Sequence, residues 1–140
     1  MPEGIASQTV RNAAPSPPPR ILVVDDNTDA ATSLARLLNL SGYEVRVAHD
    51  GPAAISAVQQ FCPRVVLLDL GMPGMDGLET AGHIKKLCLD HRVCILAVTG
   101  WGHDDDRQRT QAAGFDGHFV KPIKISQLEA ALERIIQSAG

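Results

Sequence analysis

From position 20 onward, short apolar runs alternate with stretches whose apolar residues recur every three or four positions. "RILVVD" is a β-branched run of buried-strand type, and "TDAATSLARLLNLSG" then places Ala31, Leu34, Ala35 and Leu38 on one helical face. Asn27 or Thr28 is positioned to cap that helix, and Gly42 to end it. "YEVRVAH" alternates as a strand with unlike faces. "GPAAISAVQQF" gathers Ala54, Ala57, Val58 and Phe61, with Pro52 in a first turn and Pro63 as a stop. The cycle repeats with strand "RVVLL", helix "GLETAGHIKKLC" (Leu78, Ala81, Ile84 and Cys88 inward) and strand "RVCILAVT". A nearly all-polar helix "DDDRQRTQAAG" follows, then strand "GHFVK". The last helix carries Ile125, Leu128, Leu132 and Ile135 on one face, and "SQLE", residues 126–129, has the spacing of a capping box.

Five strands thus alternate with five helices. Continuous apolar strands fit a parallel sheet covered on both faces, and right-handed crossovers then predict a doubly wound α/β sandwich. Alternation leaves the strand order open. In such folds the sites lie at the carboxyl ends of the strands.

Composition narrows the function classes. At 140 residues the chain fits one domain that needs no disulfide or metal staple. A net charge of -3, without a Lys/Arg cluster, shows no nucleic-acid or membrane-surface footprint. Three Phe, one Trp and one Tyr are too few for a base-stacking platform. Three cysteines without a C-x-x-C pattern fit a reduced, cytoplasmic setting, and no apolar run approaches membrane-spanning length. Residues 1–19, with "APSPPP", read as a disordered Pro-rich tail or linker, and residues 20–140 as the folded domain.

"VVLLDLGMPGMDG" breaks the pattern of a buried strand by ending it in a carboxylate, Asp69, followed by a loop punctuated by glycine and proline. The first strand ends in Asp25 and Asp26, the fourth in Thr99 and Gly100, and the fifth in Lys121 and Pro122. A parallel sheet brings these ends to one rim. Two unit charges about 4 Å apart cost roughly 1 kcal/mol in water and roughly 4 kcal/mol at an effective dielectric of about 20. Lys121 alone does not offset three clustered acids. A hard divalent cation does, and an all-oxygen set suits Mg²⁺. Mg²⁺ binds through few carboxylates plus a phosphate, so the rim suits a phosphoryl group with Asp69 as candidate nucleophile.

"ILVVDDN", "VVLLDLGMPGMDG", "AVTG" and "FVKP", in this order and at strand ends, resemble the receiver domain of two-component response regulators, over residues 20 to about 139. The resemblance implies a flavodoxin-like (βα)5 sheet of order 2-1-3-4-5 and phosphoryl transfer from a kinase phosphohistidine to an aspartate. By position, Asp69 is then the phosphoacceptor. Asp26 binds Mg²⁺ directly, Asp25 mainly through water, and the Gly71 carbonyl supplies a further ligand beside Asp69. Thr99 and the Gly100 amide hold phosphoryl oxygens, and Lys121 pairs with another. Lys121-Pro122 is expected to be cis. Thr99 and His118 are the switch positions that change the outward face of the fourth helix, fifth strand and fifth helix. The implied partners are a histidine kinase or histidine phosphotransfer protein and a downstream protein on that face. No turnover enzyme is implied beyond the domain's own phosphorylation and dephosphorylation.

Within the family, "DLGMPGMDG" and "GFDGHFVKP" look most like receivers of hybrid sensor histidine kinases, and the Pro-rich leader resembles their linkers. The chain therefore reads as an excised hybrid-kinase receiver or a single-domain regulator. Two positions depart from the pattern. His118 stands where Tyr or Phe is usual, adding a hydrogen bond or pH sensitivity, or simply filling the aromatic's space. Gly71 leaves the phosphorylation site without a neighbouring side chain, and Trp101 is expected to shield it from water. The polar helix over residues 104–113 is expected to be the mobile element.

Other features have plainer readings. Cys88, His91 and Cys94 have metal-like intervals without a fourth ligand, so structural cysteines and a loop histidine are favoured over zinc. Asp104, Asp105 and Asp106 read as a solvated helix start, His49, His83 and His103 as surface residues, and Cys62 as packed at a helix end. Two rival classes stay open. An aspartate-nucleophile phosphatase wants a second acid where Gly71 stands. A pseudo-receiver that only binds a partner does not need the full set of acids with Thr99 and Lys121.

Overall fold

The computed structural model describes residues 18–72, 77–87, 93–100 and 114–139. The apolar runs form β1 (Arg20–Val24), β2 (Glu44–Ala48), β3 (Val65–Asp69), β4 (Cys94–Thr99) and β5 (Gly117–Val120). The described helices are α1 (Thr28–Leu40), α2 (Gly51–Phe61), α3 (Gly77–Leu87) and α4 (Ile125–Ala139). Here α4 is the fifth helix read from the sequence. The fourth, over residues 104–114, falls almost wholly outside the described residues, as do Trp101, His103, Cys88 and His91.

All pairings are parallel, in the order β2-β1-β3-β4-β5 implied by the family resemblance. Alternate residues of the inner strands feed two cores, which is why those strands read as continuous apolar runs. Leu22, Val24, Val66, Leu68, Ile95 and Ala97 pack with α2 and α3 residues such as Val58 and Ile84. Ile21, Val23, Leu67, Leu96 and Val98 pack on the other face, with Leu38 of α1 and Leu128 and Leu132 of α4. The edges differ: β3 and β4 are buried throughout, whereas β2 alternates and β5 is only half-buried.

Local chemistry sets the helix ends. The Asn27 side chain accepts the Ala30 N–H at 3.0 Å and caps α1. After α1, Gly42 turns the chain at φ +101°, a conformation that costs a residue without Cβ little. Asp50 caps α2 by accepting the Ala53 N–H at 2.7 Å.

Two expectations are corrected. Helix α4 starts at Ile125, with the Leu128 N–H donating to the Lys124 carbonyl at 3.1 Å, so Ser126 lies inside the first turn and no capping box forms at "SQLE". Glu129 reaches across to α1 instead and accepts the Ser41 hydroxyl at 3.1 Å. Cys62 is exposed rather than packed. It takes the left-handed conformation (φ 51°) that ends α2, so its side chain points off the domain.

Candidate functional site

The parallel register delivers the ends of β1, β3, β4 and β5 to one rim, as the sequence pattern requires. Asp69, the last residue of β3, is 4% exposed. Its Oδ1 accepts the Gly71 N–H at 2.8 Å and its Oδ2 accepts Lys121 Nζ at 2.9 Å. Lys121 follows β5 directly, and its N–H donates to the Thr99 carbonyl at 2.7 Å, which fixes the start of the ammonium's reach. The Lys121-Pro122 peptide is cis, as expected.

Asp25 continues β1 by one residue, its N–H donating to the Ala48 carbonyl at 3.0 Å. One carboxylate oxygen accepts the Asn27 N–H at 2.9 Å, and the other lies 3.9 Å from Lys121 Nζ. Asp26 is exposed on the same rim. One oxygen from each of Asp25, Asp26 and Asp69 falls within 4.8 Å of the others. Acids from two separated segments therefore converge.

Burial, the largest influence on Asp25, pushes its carboxyl above the usual aspartate range. The Asn27 N–H opposes this, the charge of Asp69 adds to it, and Lys121 offsets part. Burial pulls the Lys121 ammonium down, but its bond to Asp69 and the charges of Asp69, Asp25 and Asp26 outweigh that and hold it above the usual lysine value. The cluster is electrostatically uneven: one ammonium serves three carboxylates.

That imbalance and the donor chemistry fit a hard cation. Octahedral Mg²⁺ at about 2.1 Å places neighbouring ligand oxygens about 3 Å apart and opposite ones roughly 4 Å apart. A trio spread over at most 4.8 Å meets this with small side-chain adjustments. Gly71 is suited to the rim for a steric reason as well, since a Cβ there would sit 3.3 Å from Asp69 Oδ1.

Thr99 ends β4, is 5% exposed, and places Oγ1 3.5 Å from Nε2 of His118 on β5. Gly100 is exposed beside it and lines the same opening as Asp69 and Lys121. Every residue singled out by strand-end position therefore lies on this rim or one step behind it.

Two contributors were not read from the chain as parts of the site. Asn27 holds both the Asp25 carboxylate, through its N–H, and the start of α1, through its side chain. His49, read only as a surface residue, is exposed but places Nδ1 2.9 Å from the Asp25 carbonyl. A carbonyl only accepts, so Nδ1 carries the proton. The available signal was position: His49 immediately follows β2, which pairs with the strand that delivers Asp25. Beneath the rim, a cleft of about 510 Å³ runs between α1 and the β5–α4 connection, with Leu34, Leu37, Pro122 and Ile123 among its walls.

Comparison with known proteins agrees with this geometry. Residues 21–133 match the family described as the response regulator receiver domain. Transcriptional regulatory protein PrrA of Mycobacterium tuberculosis is 36% identical over 122 residues, which span 87% of this chain and 52% of PrrA. Sporulation initiation phosphotransferase F of Bacillus subtilis is 32% identical over 117 residues, spanning 84% of this chain and 93% of that protein. The chain thus covers about half the length of the first relatives it matches, but nearly all of the Bacillus protein. Among solved structures, a response regulator from Burkholderia pseudomallei, crystallised with a phosphorylated aspartic acid, calcium ion and citrate, superposes with a TM-score of 0.75. It is 30% identical, and the match spans 81% of this chain and 66% of that one.

Proposed function

The chain belongs to the response regulator receiver domain family, and from that premise we propose that it accepts a phosphoryl group from a protein phosphohistidine onto Asp69. The observation that carries this reading is the buried Asp69 carboxylate, bonded to Lys121 at 2.9 Å, with oxygens of Asp25 and Asp26 within 4.8 Å. An Asp69 oxygen attacks phosphorus, a P–O bond forms, the P–N bond to the donor imidazole breaks, and the imidazole leaves with a proton.

Catalysis here is positioning and charge. The Gly71 N–H fixes the carboxylate's rotation. As negative charge moves outward onto the phosphoryl oxygens, Lys121 follows it from Asp69 Oδ2. The Thr99 hydroxyl and Gly100 N–H hold the remaining oxygens. Asp25, Asp26, Asp69 and the Gly71 carbonyl would hold Mg²⁺, which when bound neutralises phosphoryl charge. Water later attacks phosphorus and releases phosphate, so the modified state is timed and the domain acts as a switch rather than a turnover enzyme. Gly71, where an acid would be needed to activate that water, disfavours the phosphatase reading.

The apolar cleft beside Asp69 supports docking of a histidine-bearing helix from a kinase or phosphotransfer protein. The face around β5 and α4 is the surface for a downstream partner. The Bacillus relative, matched over nearly its whole length, supports a single-domain regulator, whereas the motif spelling supports a hybrid-kinase receiver. Among the described residues no helix is long and apolar enough to cross a membrane.

The test is intact-protein mass after incubation with a small phosphodonor and Mg²⁺. One phosphoryl group is expected on the wild type and none on Asp69→Asn. Equal labelling of both rejects Asp69, and multiple turnovers of donor without a stable adduct favour the phosphatase.

A further inference from the structure

The geometry points to His118 as a positioning residue that orients the Thr99 hydroxyl proton toward the phosphoryl group. This inference rests on the receiver reading and adds to it a hydrogen-bonding role that a phenylalanine ring at this position would lack.

Three observations place the imidazole there. His118 pairs in register with Ala97, and Thr99 lies two residues further along β4, so all three share one face of the sheet. The Ala97 methyl leaves room for the ring to lean along the sheet. Nε2 thereby comes within 3.5 Å of Thr99 Oγ1, a loose contact of the kind that tightens when the site is loaded. His118 is half-buried although β5 is an edge strand, so the ring already rests inward.

A hydroxyl has one proton and two lone pairs. If Thr99 gives its proton to Nε2, it has none for a phosphoryl oxygen. If Nε2–H donates to Oγ1, the hydroxyl proton is directed into the pocket and the two bonds polarise one another. The second arrangement is the one selected when a phosphoryl group arrives. Asp116, which precedes β5, and Arg134 of α4 line a groove with His118, and Asp116 is itself paired with Lys85 at 3.1 Å.

Space-filling and proton orientation make opposite predictions for two substitutions. His118→Phe keeps a ring and loses the donor. His118→Gln loses the ring and keeps an N–H that reaches as far. Affinity for beryllofluoride with Mg²⁺, measured by calorimetry, is expected to fall between about 2- and 10-fold in His118→Phe, the range of one neutral hydrogen bond. His118→Gln is expected to restore most of the loss, and in a Thr99→Val background His118→Phe is expected to change nothing further. Phe as tight as wild type with Gln weaker overturns the proposal and leaves the receiver reading intact. Absence of Asp69-dependent binding in the wild type overturns both.

Discussion

The ends of β3 and β5 lie on one rim, yet they are built differently. β3 is flanked by β1 and β4 and buried at every position, and its terminal Asp69 has both carboxylate oxygens engaged. β5 has β4 as its neighbour and is half-covered, and the Lys121 side chain that follows it is 42% exposed. The proposed acceptor is thus fixed by the core, while Lys121 and His118, the groups proposed to answer its charge, stand on or directly after an edge strand with no buried residue. On the proposed reading, a group that holds still for in-line attack and groups that move afterwards need unlike surroundings, and the sheet supplies both two strand spacings apart, on either side of β4.

The largest effects that can break this contrast concern stability. Leu67→Ala on β3, where the side chain is 1% exposed, is expected to cost about 2–5 kcal/mol in denaturant unfolding. Val120→Ala on β5, 37% exposed, is expected to cost under about 1 kcal/mol. Similar losses at both would mean the two strands are equally anchored. Next, Lys121→Ala is expected to slow phosphoryl uptake on the order of a hundredfold, by analogy with removal of one charge-stabilising donor, while the fold survives. A wild-type rate would separate the ammonium from the chemistry.

Asp25 gives a smaller effect whose sign follows from its raised folded-state pKa. The folded chain holds that proton more tightly than the unfolded one, so this group's stabilising contribution is present at acid pH. It is lost as pH rises from about 3.8 through the raised value. At pH 7 without divalent cation, Asp25→Asn is therefore expected to raise Tm by a few degrees and to shrink the further rise on adding Mg²⁺. An unchanged melt, or an undiminished Mg²⁺ effect, would contradict the assignment. The smallest expected change is Gly71→Ala: a methyl 3.3 Å from Asp69 Oδ1 should slow uptake by a few-fold and leave Tm nearly untouched.

Much of this was legible in the chain because periodicity and strand-end position are local properties. Asp25, Asp69, Thr99 and Lys121 could be gathered on one rim as soon as the strands were taken as parallel. What stayed hidden depended on distant partners. Ser126 and Glu129 have the spacing of a capping box, but Glu129 finds Ser41, 88 positions away, and the helix starts earlier. Cys62 looked like a small packing residue, yet backbone geometry at the end of α2 turns it outward. Phe61 was read as ordinary core. Nothing in its neighbourhood foretold that Arg46 and Arg20 would place guanidinium carbons 4.6 and 5.3 Å from its ring centroid. His49 carried only a positional signal, directly after β2, because its partner is a backbone carbonyl.

Asn27 joins the acid rim to a helix through one residue: its N–H holds Asp25 and its side chain holds Ala30. Any ligand that draws Asp25 toward itself must tug on the first turn of α1. A fluorophore attached at the exposed Asp29 would sit on that turn, outside the acid trio, and could serve as an optical gauge of site loading.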